Sequence, residues 1–304
     1  MTSAILLSIK IGLDPTLFKV AGLEVTWHGV FTALAVVAGV AMAVYLGRRV
    51  GFDEDAIYNV ALALVIGGII GARGLYVLEN WGAGADEVNS LREVLDITEG
   101  GISIYGALIG GAIAAWGYAY LTRLQNIPKA ADIAAIGAIL GMATGRIGDI
   151  INGEHFAKVT SLPWGVEYTH ANSPSVRQEL AGELVDPVVV QPQHPAVAYE
   201  LLGDMAIFFL LLVIYARVTR SGVTFFAWMV LYGALRLGVS FLRLDDIVLV
   251  GLRTAQLIGI ASMALALPAI IYLLRTPPQE EQPGLADEGP PTGEEGAEGE
   301  PAEG

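Results

Sequence analysis

Seven stretches of mainly apolar residues dominate this chain. Each is close to the roughly 20 residues a helix needs to cross the hydrocarbon core of a bilayer. They run over roughly 27–47, 57–78, 101–121, 131–151, 196–216, 223–242 and 254–274. Lipid offers the backbone no hydrogen-bond partners, so spans of this length must satisfy themselves as helices. The expected fold class is therefore an all-α integral membrane protein with seven transmembrane helices. Residues 1–275 form its membrane body, 152–195 a small extracytoplasmic cap, and 276–304 a tail. Composition agrees. Only 16% of the 304 residues are charged and 54% are hydrophobic, where a soluble domain has about 25% charged residues.

The formal charge of −14 is concentrated in the tail, where residues 276–304 hold nine acids, six prolines, six glycines and no base. Without those acids the balance is −5. The tail cannot bury a core and is expected to be disordered. Basic patches are absent, which argues against a nucleic-acid partner. Cysteine is absent too, so any thiol in the chemistry must arrive with a substrate.

Basic residues follow alternate spans: Arg48 and Arg49, Arg123 and Lys129, Arg217 and Arg220, then Arg275. Such ends face the cytoplasm, which puts the amino terminus outside and the carboxyl terminus in the cytoplasm. In the first 26 residues Lys10 and Lys19 follow the apolar stretch and Asp14-Pro15 breaks it, so this part is expected to be an amphipathic lead-in on the membrane surface rather than a signal peptide.

Charges inside the spans carry the functional information, because an arginine at a helix centre costs about 2.5–3.5 kcal/mol on insertion scales. Arg73 lies near Tyr76 and Glu79, and an ion pair is its bland reading. Arg146 sits in the run Gly145-Arg146-Ile147-Gly148-Asp149-Ile150-Ile151-Asn152-Gly153-Glu154. Spacings of three and four put Arg146, Asp149 and Gly153 on one helical face. Asn152 and Glu154 fall where the helix should end, with Gly153 as its cap. Tyr232, Arg236 and Arg243 supply a second set at the same depth. A guanidinium fork matches a phosphate diester, so the two sets point to an anionic membrane lipid. The structural alternative is an ion-pair network using Glu79, Asp149, Asp132 or Glu200. A proton path would need carboxylates strung through the spans, and these are sparse. His28 opens the first span as an interfacial anchor, His155 and His170 read as solvated loop residues, and His194-Pro195 as a helix entry. No metal site and no cofactor is expected.

The motifs together resemble the prolipoprotein diacylglyceryl transferase family of the bacterial inner membrane. The resemblance rests on Trp27-His28-Gly29, Gly71 to Leu78, Gly100 to Gly110, Gly145 to Glu154, His194 to Glu200, Tyr232 to Arg236, Arg243 and Gln256. It implies transfer of diacylglycerol from phosphatidylglycerol to the lipobox cysteine thiol of a prolipoprotein signal peptide. A thioether forms and glycerol phosphate leaves. Arg146 and Arg236 match the family's essential arginines. Asn152, Glu154, Tyr232 and Arg243 match the polar shell around them. The chain departs from the usual pattern at His28 (Tyr), Tyr105 (His), Asp149 (Asn), Ala157 (Gly) and Ser240 (Glu). The exchange at His28 and Tyr105 is reciprocal. If both face one cavity, His28 takes the thiol proton, while Tyr105 bonds the phosphate or orients His28. The alternatives are a relative that binds anionic lipid or precursor without turnover, and a transporter.

Overall fold

The computed structural model describes residues 8–20, 23–81, 90, 93–94, 101–176, 191–245, 247–249 and 251–276. Seven helices among them are long and apolar enough to cross a membrane: α1 (Trp27–Arg49), α2 (Glu54–Asn80), α3 (Ile104–Leu121), α4 (Ile127–Asn152), α5 (Ala196–Arg217), α6 (Val223–Ser240) and α7 (Thr254–Arg275). The seven sequence windows match them within a few residues. The largest difference is α4, which begins at Ile127 rather than near 131. Asn126 caps it, its side chain accepting from Lys129 N at 3.1 Å, and a proline stands in its first turn. Polarity hid this turn from a hydropathy reading. Asp132, buried inside it, accepts from the backbone N–H groups of Gly222 and Phe225, both at 2.8 Å. It thereby satisfies orphan donors at the start of α6.

The described residues of the amino-terminal lead-in are not helical. They form β1 (Ser8–Ile11), β2 (Thr16–Val20) and β3 (Leu23–Thr26). β2 and β3 pair antiparallel. Thr26 then caps α1 by accepting from Gly29 N at 3.1 Å. Alternating polar and apolar residues such as Lys10-Ile11 and Phe18-Lys19-Val20 carry the period of a strand, which the amphipathic reading passed over.

The core lies between α1, α4, α5 and α6, around Leu46, Ile133, Ile136, Ile139, Ile207, Phe208, Leu211 and Ala227. α1 packs along α4, where a Cβ on Gly39 would come within 2.9 Å of the Gly137 carbonyl oxygen. Small residues set that approach. α2 packs with α3 and α6 with α7, while Ile70, Leu108 and Leu265 point outward, as lipid-facing residues should.

The described part of residues 152–195 is built on the body. β4 (Gly165–Tyr168) pairs parallel with β1. Bridges join Ala157 to Arg243 and Val159 to Gln193. Gln193, 2% exposed, accepts from Ala157 N at 2.9 Å through its side chain. β5 (Ile247–Leu249) and β6 (Leu252–Arg253) form a hairpin leading into α7. The Val188–Val190 run and the tail beyond Thr276 lie outside the described residues.

Candidate functional site

The ends of α1, α4, α5 and α6 bring the charged residues of the spans together. α4 ends where Gly153 takes φ +74°, a left-handed geometry glycine adopts without strain. Tyr168 packs against that glycine, and its hydroxyl donates to the Ile150 carbonyl at 3.0 Å. Burial pushes this hydroxyl above the ordinary tyrosine range, so it stays a donor.

Glu200 on α5 is the centre of the cluster, at 1% exposure. Arg146 Nη2 reaches Glu200 Oε2 at 2.8 Å, Arg236 Nη1 donates to Oε1, and Arg243 Nη1 stands 3.5 Å from Oε1. Arg146 Nη1 also donates to Asp149 Oδ2 at 2.9 Å. Both terminal nitrogens of Arg146 are therefore spent inside the protein. Arg243 is similarly committed: Nε and Nη2 donate to Asp245 at 3.0 and 3.1 Å, and Nη2 lies 3.1 Å from His155 Nδ1. Arg236 differs. Among the described residues only its Nη1 has an acceptor, so Nε and Nη2 remain for a ligand.

Those donors matter because Arg236 borders a cavity of about 350 Å³, lined also by Tyr105, Arg243, Asp245, Val248, Thr254 and Ala255. This volume falls in the range of small-molecule sites. Tyr105, in the first turn of α3, stands at its wall. Tyr232 lies one turn before Arg236 and is partly buried. Asn152 is buried and its amide donates to Glu154.

His28 lies beside this network but does not line the cavity that Tyr105 lines, so the two do not share one cavity as the reciprocal exchange required, because Asp149 draws the His28 ring toward α4. It enters α1 against Gly148 of α4, and its Nδ1 is 2.7 Å from Asp149 Oδ1 and 3.7 Å from Glu154 Oε2. These three side chains are the one described group near enough to hold a metal ion. Tetrahedral zinc ligands at about 2.0–2.2 Å from the ion stand roughly 3.4 Å apart. The 2.7 Å separation is instead a direct hydrogen bond, and Arg146 already occupies the same carboxylate.

Several side chains sit elsewhere than the sequence suggested. Arg73 donates to the backbone carbonyls of Val94 at 3.0 Å, Gly101 at 2.6 Å, and Glu93. These bonds anchor the chain before α3. His155 is not a solvated loop residue. The strand pairing at Ala157–Arg243 carries it to Arg243, with Nε2 3.6 Å from Asp149 Oδ2. His170 is half-buried, with Nε2 3.9 Å from Asp14. His194 does mark the entry to α5, its ring 3.5 Å from the Tyr199 hydroxyl. The sequence reading underweighted Glu200 and passed over Asp204, which is fully buried with neither carboxylate oxygen hydrogen-bonded to a described residue. Two acids four residues apart in an apolar span were the available signal.

The family model for prolipoprotein diacylglyceryl transferase matches residues 15–272, which include every residue of this cluster. The chain belongs to the prolipoprotein diacylglyceryl transferase family. It is accordingly a transferase, and its seven apolar helices make it a multi-pass membrane protein of a bacterial family. Among its relatives is the phosphatidylglycerol–prolipoprotein diacylglyceryl transferase of Nostoc sp., 32% identical over 90% of this chain and 95% of the relative. That of Clostridioides difficile is 33% identical over 86% of this chain and 96% of the relative. That of Gloeobacter violaceus is 31% identical over 88% and 96%. The family model thus covers all seven apolar helices nearly completely, from residue 15 to residue 272, and stops short of the acidic tail.

Proposed function

We propose that this chain transfers the diacylglyceryl group of phosphatidylglycerol to the lipobox cysteine thiol of prolipoprotein signal peptides, in the bacterial inner membrane. The observation that carries the reading is Arg236, which lines a cavity of about 350 Å³ together with Tyr105 and whose Nε and Nη2 have no acceptor among the described residues. A phosphate diester accepts two parallel N–H bonds from such a fork. The same donors stabilise the charge that develops as glycerol phosphate departs. Arg146 and Arg243 contribute indirectly. They hold Glu200, which in turn fixes Arg236. Tyr105 at the cavity wall is placed to bond the headgroup, and Tyr232, Asn152, Asp149 and Glu154 complete the polar surround.

The thiol comes from the substrate, since the enzyme has no cysteine. Its proton passes to His28, the half-exposed imidazole at the start of α1. The site stands at the outer end of the body, with the amino terminus outside and the carboxyl terminus in the cytoplasm, as the basic loops direct. Residues 1–275 suffice for the reaction, and the acidic tail is a dispensable cytoplasmic appendage. No cofactor takes part.

Complementation of a bacterium depleted of its own diacylglyceryl transferase tests the proposal. Growth and lipid-modified precursor are expected with this chain and not with Arg236→Lys. Insertion without lipid modification would support instead a protein that only binds lipid or precursor.

A further inference from the structure

The junction of α1 and α4 sets two histidines against one carboxylate, and their surroundings force them into opposite tautomers. Asp149 is buried and held by Arg146 on Oδ2, so it acts only as an acceptor. His28 Nδ1 stands 2.7 Å from Asp149 Oδ1 and must therefore carry the hydrogen of that bond. A neutral ring so placed has its lone pair on Nε2. No described residue takes Nε2, and the side chain is 43% exposed.

His155 is the mirror case. Arg243 Nη2 lies 3.1 Å from its Nδ1, and a guanidinium can only donate. Nδ1 of His155 is thus the acceptor, and its hydrogen sits on Nε2, 3.6 Å from Asp149 Oδ2. That separation is too long for a hydrogen bond, but the one lone pair of the neutral ring, on Nδ1, is taken by Arg243. Of the two imidazoles on Asp149, only His28 has a lone pair to offer.

We propose that Asp149 is a positioning residue that fixes the tautomer and direction of His28, so that Nε2 of His28 receives the proton of the acceptor thiol. This rests on the transfer reading above. The sulfur loses its proton to Nε2 and forms a bond to the glyceryl carbon. The carbon–oxygen bond to phosphate breaks, and glycerol phosphate leaves with the electron pair. His28 then releases the proton to water at the exposed end of α1. Asp149 never touches the reacting atoms.

The test uses the full chain in nanodiscs with phosphatidylglycerol and a lipobox peptide. Asp149→Asn keeps shape and removes the acceptor charge. At pH 7 it should lower kcat by about tenfold or more and leave KM for phosphatidylglycerol within about twofold. A free thiol ionises by itself near pH 8.5, so the deficit of Asp149→Asn and of His28→Phe should shrink to about threefold or less at pH ~9.5. That of Arg236→Lys should persist. Nitrogen-15 spectra of histidine-labelled protein should show His28 protonated at Nδ1 in the parent and mixed between tautomers in Asp149→Asn. A deficit in Asp149→Asn that is equal at both pH values, or an unchanged His28 tautomer, would overturn the proposal. If His28→Phe retains activity at pH 7, the base assignment itself fails. If His28→Phe loses activity while Asp149→Asn does not, only the role of Asp149 fails.

Discussion

Arg73 and Arg236 are both arginines near the end of a membrane helix, yet they do different things. Arg73 is surrounded by main chain: its guanidinium reaches three carbonyl oxygens just before α3 and lies 5.1 Å from the Tyr76 ring centre. Arg236 gives one nitrogen to Glu200 and leaves the rest toward a cavity. The insertion cost of the charge is similar at both sites. What differs is whether the partners use up the donors. A satisfied guanidinium is a structural fastener, whereas one held by a single nitrogen keeps a fork for a ligand. Arg146 and Arg243 lie between these extremes, their terminal nitrogens turned to the carboxylates that hold Arg236 in place.

This contrast can be broken by substitution. Arg236→Lys should have the largest effect, about 100-fold or more on transfer, since removal of one well-placed donor to developing charge costs 10²–10³. Correct membrane insertion should persist, as judged by protease accessibility. Arg146→Lys should cost less in rate, about tenfold, and more in stability. A single ammonium cannot reach Glu200 and Asp149 together as the two terminal nitrogens of Arg146 do, and breaking a buried pair costs about 3–5 kcal/mol. Thermal unfolding in detergent would read the loss. Arg73→Lys should lower stability by about 1–3 kcal/mol through lost carbonyl bonds, with activity per inserted molecule unchanged within about twofold. A rate loss for Arg73→Lys equal to that of Arg236→Lys would erase the distinction. Deleting residues 278–304 should change neither insertion nor rate, because a chain of that composition has no surface to bury.

The membrane architecture was legible in the sequence because a bilayer imposes one length and one polarity on every span. The seven windows differ from the helices by a few residues. Arg146 and Arg236 stood out for the same reason: a charge in an apolar run has to be accounted for. Their partners did not. Glu200 gains its meaning from three arginines far apart in sequence. His155 reaches Arg243 only because residues 156–158 pair with 242–244, and that pairing leaves no periodic trace in a loop. The amino-terminal strands were missed because short strands and surface-lying amphipathic segments look alike at that length. His28 and Asp149 each appeared as a departure from the family pattern. Only the fold shows that they are hydrogen-bonded to each other.

The most direct test of the account is a transfer assay with purified chain in vesicles. Phosphatidylglycerol and a lipobox peptide are supplied, and the thioether-modified peptide and released glycerol phosphate are both quantified. The account predicts equimolar appearance of the two products, lost together in Arg236→Lys while that variant remains inserted. Absence of either product with the parent chain, or undiminished transfer by Arg236→Lys, would contradict it.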